Sequence, residues 1–217
     1  KTLSRIACKG SHEFYTGKTA ELIVACMKRT GGLISLEDLK KYSPVERKPI
    51  SFDYRNYTIH SMPPASSGGI AVAGILNQLE NINLNEIDYH SAKHIHLVSE
   101  AERRVYADRS HFLGDMDFVN IPIETLISQD YSNNRWNTID GNNASISSEI
   151  SHSNISIGIN ESEETTHYSV VDKDGNAVSV TTTVNGWFGN GITVDGAGFL
   201  LNNEMDDFSS KPGVPNA

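Results

Sequence analysis

The residue in the most unusual chemical setting is Thr165. A run rich in Ser, Asn and Glu ends at Glu164, and Thr165-Thr166-His167-Tyr168-Ser169 opens a β-rich run with no turn residue between. A threonine hydroxyl is a poor nucleophile unless a base takes its proton. If the bond before Thr165 were cut, the new terminal α-amine, with a pKa near ~8, could be that base at neutral pH. A pliable segment upstream and a rigid strand downstream would present that bond to attack. On residue types alone, an ordinary strand beginning with Thr-Thr explains the same letters.

A second group is acidic: Glu204, Asp206 and Asp207 follow Asn202-Asn203 within one short stretch. On residue types alone such a cluster reads as a solvated acidic turn. Other signals carry less. His90, His94 and His96 include a pair four apart that could share a metal, but no third ligand is in view and none is expected to bind. Asp172-Lys173-Asp174-Gly175-Asn176 lacks the distal Glu of a calcium loop and reads as a hairpin turn. Ser66-Ser67-Gly68-Gly69 could hold an anion at a helix start, though a structural turn is the preferred reading. His167, third in its run, can point away from Thr165 and is left out of the site. No cofactor is expected.

The elements that must position these residues follow from spacing and stop signals. Thr19–Thr30 reads as a helix released by Gly31-Gly32. Ser35-Leu36-Glu37-Asp38 looks like a capped helix start. Pro49–Asp53 and Tyr57–Ser61 form a predicted hairpin. After the Pro-rich break at 63–69, a helix is expected through Ile70–Leu79. A longer amphipathic helix runs from about Ser91 to Phe112, with Ile95, Val98, Ala101, Val105 and Tyr106 near helical spacing. His167–Asp172 and Ala177–Val184, joined across Asp174-Gly175, predict a second hairpin. Gly198–Asn202 is a third strand candidate.

Between Gly141 and Glu164, eleven of 24 residues are Ser or Asn and none is Lys or Arg, so this segment reads as an exposed linker. The expected organisation is a helix-rich region 1–140, a flexible linker 141–164 and a β-rich region from 165 to 217. A formal net charge of −9 argues against nucleic-acid or anionic-membrane partners. No apolar run approaches a membrane span, and no signal-peptide pattern is visible. The start at Lys1 without Met is what an excised piece of a longer protein would show. Two cysteines are too few for a disulfide framework. Cys26, in an apolar run, is expected to be a buried helical thiol, and a Cys8–Cys26 bridge stays open as the lesser alternative. Sequons at Asn56, Asn143, Asn154 and Asn160 matter only along a eukaryotic secretory route.

Several separated stretches, in order, resemble the gamma-glutamyltransferase family of N-terminal-nucleophile enzymes. Thr165-Thr166-His167-Tyr168-Ser169-Val170-Val171-Asp172 is similar to the start of that family's small subunit. Met62-Pro63-Pro64-Ala65-Ser66-Ser67-Gly68-Gly69 is similar to its Pro-rich turn. Glu100-Ala101-Glu102-Arg103 with Tyr106-Ala107-Asp108-Arg109 resembles its long helix. Leu201 through Ser209, then Lys211-Pro212-Gly213-Val214-Pro215-Asn216, resembles the segment lining its glutamyl pocket. The resemblance runs from about Glu13 to Asn216 and lapses across the linker.

What the resemblance implies is specific. The fold would be α/β (α+β), part of a four-layer αββα sandwich. Thr165 would attack the Glu164 carbonyl to cleave the precursor, then attack the γ-glutamyl amide of glutathione or a similar donor. Water, an amino acid or a peptide amine would resolve the acyl-enzyme. Thr183 matches the threonine supporting the nucleophile, Asn185 a residue holding the donor's α-amino end, and Glu204 with Asp207 the acidic pair on that ammonium. The family's carboxylate-binding arginine would lie before Lys1, and its Ser-Ser contacts and Gly-Gly oxyanion hole beyond Ala217. The chain alone is therefore expected to be inactive, with the remaining parts of both subunits as its partners and a periplasmic or extracellular setting. Two alternatives stay open: a related amidase, such as a cephalosporin-acylase-like or poly-γ-glutamate enzyme, and a non-enzymatic domain derived from the family.

Overall fold

The computed structural model describes residues 1–152, 166–175 and 177–208. Helices α1 (Thr2–Lys9), α2 (His12–Tyr15), α3 (Lys18–Thr30) and α4 (Leu36–Lys41) lead into strands β1 (Ile50–Tyr54) and β2 (Tyr57–Ser61). Helices α5 (Gly68–Leu79), α6 (Ala92–Phe112), α7 (Ile123–Leu126) and α8 (Gln129–Trp136) follow, then strands β3 (Thr166–Val171) and β4 (Ala177–Thr182). The described residues fall into two compact units. One joins Lys1–Val45 to those described within Asn160–Ser210, and the other lies within Glu46–Ile159. Among the described residues no helix is long and apolar enough to cross a membrane.

In the first unit α3 is the organising element. Its apolar residues at helical spacing, Ile23, Cys26 and Met27, pack with Val194 and Ala197 into one core cluster. The expected C-terminal stop is present, with Gly31 in the left-handed region at φ 78 and its N–H donating to Met27 O. Its start is unusual. Gly17 has no side chain to cap with, and the buried Glu13 carboxylate accepts from Thr19 N and Thr19 Oγ1, each at 3.3 Å. Arg5 Nε adds a bond of 2.8 Å. Burial pushes the Glu13 carboxyl up, but Lys9, Thr19 and Arg5 together outweigh it and hold the group below its ordinary range. The capping box predicted for α4 is formed by Ser35 and Asp38. Cys26 is buried as expected, and both cysteines are free.

Strands β3 and β4 pair antiparallel, with Thr166 opposite Thr182 and His167 opposite Thr181. Because neighbours along a strand alternate, one face carries His167, Ser169, Ser179 and Thr181, and the other Tyr168, Val170, Val178 and Val180. The third expected strand, Gly198–Asn202, is not one. Only an isolated bridge, Thr193 to Leu200, forms there. Left-handed backbone at Gly196 (φ 77) and Gly198 (φ 79) folds 192–201 back on itself. Val194 N donates to Phe199 O at 2.9 Å and Leu201 N to Ile192 O at 3.0 Å. The segment meets its backbone bonds locally rather than in a sheet.

The second unit centres on α5 and the β1–β2 hairpin, whose Ile50, Phe52, Ile70 and Ala73 join Ile121 and Leu126 in a core. Gly74 lets α6 approach, since a Cβ there would lie 3.0 Å from Val105 Cγ2. Gly69, in the first turn of α5, does the same for the preceding loop: a Cβ would fall 2.1 Å from Met62 O. Ser91, near the expected start, caps α6, but the buried stripe differs from the expected one. Ile95 is 54% exposed and Tyr106 36%, while Leu97, Glu100, Ala101, Arg104, Val105 and Asp108 are buried. The stripe includes charges because they are paired at helical spacing: Arg104 Nη1 donates to Glu100 Oε2 at 2.7 Å.

Glu100 also fastens residues 145–147 to α6, an attachment that composition did not foretell. Its carboxylate accepts from Ser145 N at 3.1 Å and from the Ser145 hydroxyl. Arg103, itself bonded to Glu100, donates to Ser145 O and Ser147 Oγ, each at 2.8 Å. Burial opposes ionisation of Glu100, yet the bonds from Ser145, Arg104 and Arg103 prevail and hold its pKa at about 2.

Candidate active site

The loop that follows β4 gathers most of the candidate residues that the structure describes. Asn185 stands at φ 67, in the left-handed region, where Asn is the side-chain-bearing residue that fits with least strain. Thr183 sets up this bend: its Oγ1 accepts from Asn185 N at 2.8 Å. The bend turns the Asn185 amide, 8% exposed, toward the acidic stretch. There Nδ2 donates to Asn203 O at 3.1 Å and to Asp207 Oδ1 at 3.2 Å.

The acidic stretch is a single 3₁₀ turn, Glu204–Asp207. At three residues per turn, positions three apart lie above one another, so Glu204 and Asp207 share a side. Both are half-buried, whereas Met205 and Asp206 are exposed. Glu204 N donates to Asn202 Oδ1 at 3.0 Å, which sets the entry to the turn.

Asn203, not foreseen as a site residue, is the hub of the arrangement. Its Oδ1 accepts from Gly186 N at 2.8 Å, its Nδ2 donates to Asp206 Oδ2 at 2.9 Å, and its backbone N donates to Val184 O at 3.2 Å. Asp206 thus serves the turn while Asp207 faces the Asn185 amide. The Asn-Asn pair before three acids was the available signal, because Asn side chains readily bond nearby backbone. Gly189 completes the frame at φ 55, where a Cβ would sit 2.0 Å from Leu201 O.

Glu164 and Thr165 lie outside the described residues. Thr183, Asn185 and Asp207 are brought together, and Glu204 stands on the same turn as Asp207. His167 is engaged elsewhere: Nδ1 lies 2.9 Å from Thr181 Oγ1 and Nε2 2.9 Å from Ser179 Oγ. Among the described residues no three His, Cys, Asp or Glu side chains form a metal-binding group. His96 Nε2 instead meets Asp140 O at 2.8 Å, and His90 stacks on Tyr89. The arrangement therefore offers two carboxylates on one side of a rigid turn with an amide aimed at one of them, a setting suited to an ammonium group beside polar acceptors.

Solved structures share this fold. A cephalosporin acylase from Bacillus halodurans matches with a TM-score of 0.77 and 26% identity over 100% of this chain and 37% of its own. A Helicobacter pylori gamma-glutamyltranspeptidase matches with a TM-score of 0.65 and 44% identity over 68% of this chain and 42% of its own. The fold is thus mixed α/β, part of the N-terminal-nucleophile hydrolase class, as the sequence led us to expect. The pattern of the gamma-glutamyltranspeptidase family matches residues 1–217, and the chain belongs to that family. It is 52% identical over 216 residues to a glutathione hydrolase proenzyme of Escherichia coli (strain K12), covering 100% of this chain and 37% of that protein.

Proposed function

We infer that this chain is the part of a γ-glutamyl acyl-transfer enzyme that contains its processing site and half of its donor pocket. Thr165 is the nucleophile. In the precursor its hydroxyl attacks the Glu164 carbonyl, the Glu164–Thr165 amide becomes an ester, and water hydrolyses that ester to leave a free α-amine on Thr165. In the mature enzyme that amine takes the hydroxyl proton as Oγ1 attacks the γ-amide of glutathione or a related donor. The leaving amine departs protonated, and water or an acceptor amine releases the γ-glutamyl group. Glu204 and Asp207 hold the donor's α-ammonium, with Asn185 beside it.

The observation that carries this reading is the Thr183–Asn185–Asp207 constellation. Thr183 follows β4, whose pairing with β3 begins at Thr166 opposite Thr182. Thr166, the residue after Thr165 in sequence, thus pairs with the residue just before Thr183, which supports a role for Thr183 beside the nucleophile. We assign residues 1–140 to the large-subunit region, 141–164 to the linker before cleavage and 165–217 to the start of the small subunit. A periplasmic or extracellular setting is proposed from family membership alone.

The test is mass spectrometry of the full-length protein together with turnover of a γ-glutamyl donor. A new N-terminus at Thr165, and loss of both cleavage and turnover in Thr165→Ala, are expected. An intact chain that still turns over donor sinks the nucleophile assignment, and a chain that neither cleaves nor turns over is a non-enzymatic relative. Likeness to the B. halodurans acylase favours one second reading, an amidase acting on another acyl group. Donors with and without the free α-ammonium separate the two, because only the γ-glutamyl reading needs the carboxylate pair.

A further inference from the structure

Within the second unit, α5, α6 and α8 meet around a small internal space lined by Gln78, Asp108, Ser132 and Arg135, with Gly74 and Val105 closing its apolar side. The room open to the centre of a water-sized sphere is about 10 Å³. That accommodates one water and no larger ligand.

Four polar atoms on this lining lack a hydrogen-bond partner: Gln78 Oε1, Asp108 Oδ1, Ser132 Oγ and Arg135 Nε. Gln78 and Ser132 are each 1% exposed and Asp108 6%, so bulk solvent does not serve them. Their other bonds are already committed. Gln78 Nε2 donates to Gly74 O at 3.2 Å and to Ala101 O at 3.5 Å. Arg135 gives one Nη to Ser151 O at 3.0 Å and the other to Arg104 O at 2.8 Å. Its Nε lies 3.1 Å from Asp108 Oδ2 as an ion pair without hydrogen-bond geometry.

We propose that this space is a binding site for a single structural water that joins the three helices. The chemistry of the four atoms selects water. Gln78 Oε1 and Asp108 Oδ1 can only accept, Arg135 Nε–H can only donate, and the Ser132 hydroxyl can donate. A water has two protons and two lone pairs, and so satisfies all four. A metal cation could use the oxygens but would leave the Arg135 N–H without an acceptor and face its positive charge. Leaving such groups bare is costly, because each buried unpaired polar atom forfeits its hydration. Burial pushes the Asp108 carboxyl upward, and Arg135, Tyr131 and His111 offset only part of that. The water also fixes the Arg135 fork that grips Ser151 O, so it steadies the chain where it leaves the described part of the 141–164 segment.

The site is tested on the full-length protein in two ways. A crystal structure that shows ordered solvent is expected to place one peak within about 2.7–3.2 Å of at least three of the four atoms. No peak, a peak at the shorter distances of a metal ion, or direct pairing among the four groups overturns the proposal. In Ser132→Ala, a bound water loses one of its four partners and the melting temperature falls by a degree or more. A dry site predicts the reverse, since the variant would remove an unpartnered hydroxyl, and an unchanged or raised melting temperature overturns the proposal.

Discussion

Replacing Glu100 by Gln keeps the shape of the side chain and removes only its charge and one acceptor oxygen. Four donors point at that carboxylate: Arg103, Arg104, and the backbone and hydroxyl of Ser145. Gln turns an NH₂ toward some of them and leaves Arg104, whose side chain is 3% exposed, without its counter-charge. The pKa falls from 4.5 to about 2, and at about 1.36 kcal/mol per unit this sets a ceiling of roughly 3 kcal/mol. Arg103 is 29% exposed, so water screens part of that interaction. The expected loss is about 2 kcal/mol at neutral pH, on the low side of the ~3–5 typical of broken buried pairs. For a cooperative unit of about 200 residues this lowers the melting temperature by roughly 4–8 °C.

The pH dependence has a definite sign. Glu100 has a depressed folded-state pKa, so its contribution is fully present above the unfolded value near 4.5 and lost as pH falls toward about 2. Thermal unfolding of full-length parent and Glu100→Gln across pH 7 to 2 should show a gap that narrows below about pH 4.5. Equal melting temperatures at pH 7, or a gap that stays constant down to pH 2, would refute the electrostatic account.

Three further outcomes are expected. Gly189→Ala should destabilise the loop bearing Asn185, because its Cβ would meet Leu201 O at 2.0 Å; the cost is about 1–3 kcal/mol, and an unchanged unfolding midpoint would contradict it. Asp207→Asn should lower kcat/KM for donors with a free α-ammonium by roughly 10–100-fold, the worth of one charge-assisted bond, mainly through KM; equal losses on donors lacking that ammonium would count against the assignment. A thiol reagent should modify exposed Cys8 readily and buried Cys26 only on unfolding, as peptide mapping can check; prompt labelling of both would mean that α3 is not packed as described.

The sequence made the helices at 18–30, 68–79 and 92–112 and both hairpins readable, because apolar spacing and stop residues agreed at each. It did not disclose α1, α2 or α8, which are short, polar or both and take their stability from tertiary contacts rather than periodicity. It misplaced the third strand because β-favouring letters at 198–202 say nothing of the left-handed glycines that fold 192–201 onto itself. Buried charge was the deepest gap. Glu13, Glu100, Arg104 and Asp108 look like surface residues until their partners are seen, and partners such as Ser145 lie far along the chain. In the candidate site, Thr183, Asn185, Glu204 and Asp207 were singled out by family likeness, and the structure brings Thr183, Asn185 and Asp207 together. Asn203 was not singled out, since its work is done on backbone groups that no motif names.

The left-handed turn at Asn185 leaves that position almost no chemical freedom. Most side chains would be expelled by backbone sterics, leaving Asn, Asp and Gly as the comfortable occupants. Gly would fit but offer nothing to Asp207, and Asp would set a second anion against it. Geometry and charge thus intersect on one amino acid, and the amide is aimed while the polypeptide folds. Under the proposed function, a small zwitterion would meet an amide already oriented and so be spared part of the entropy of arranging it.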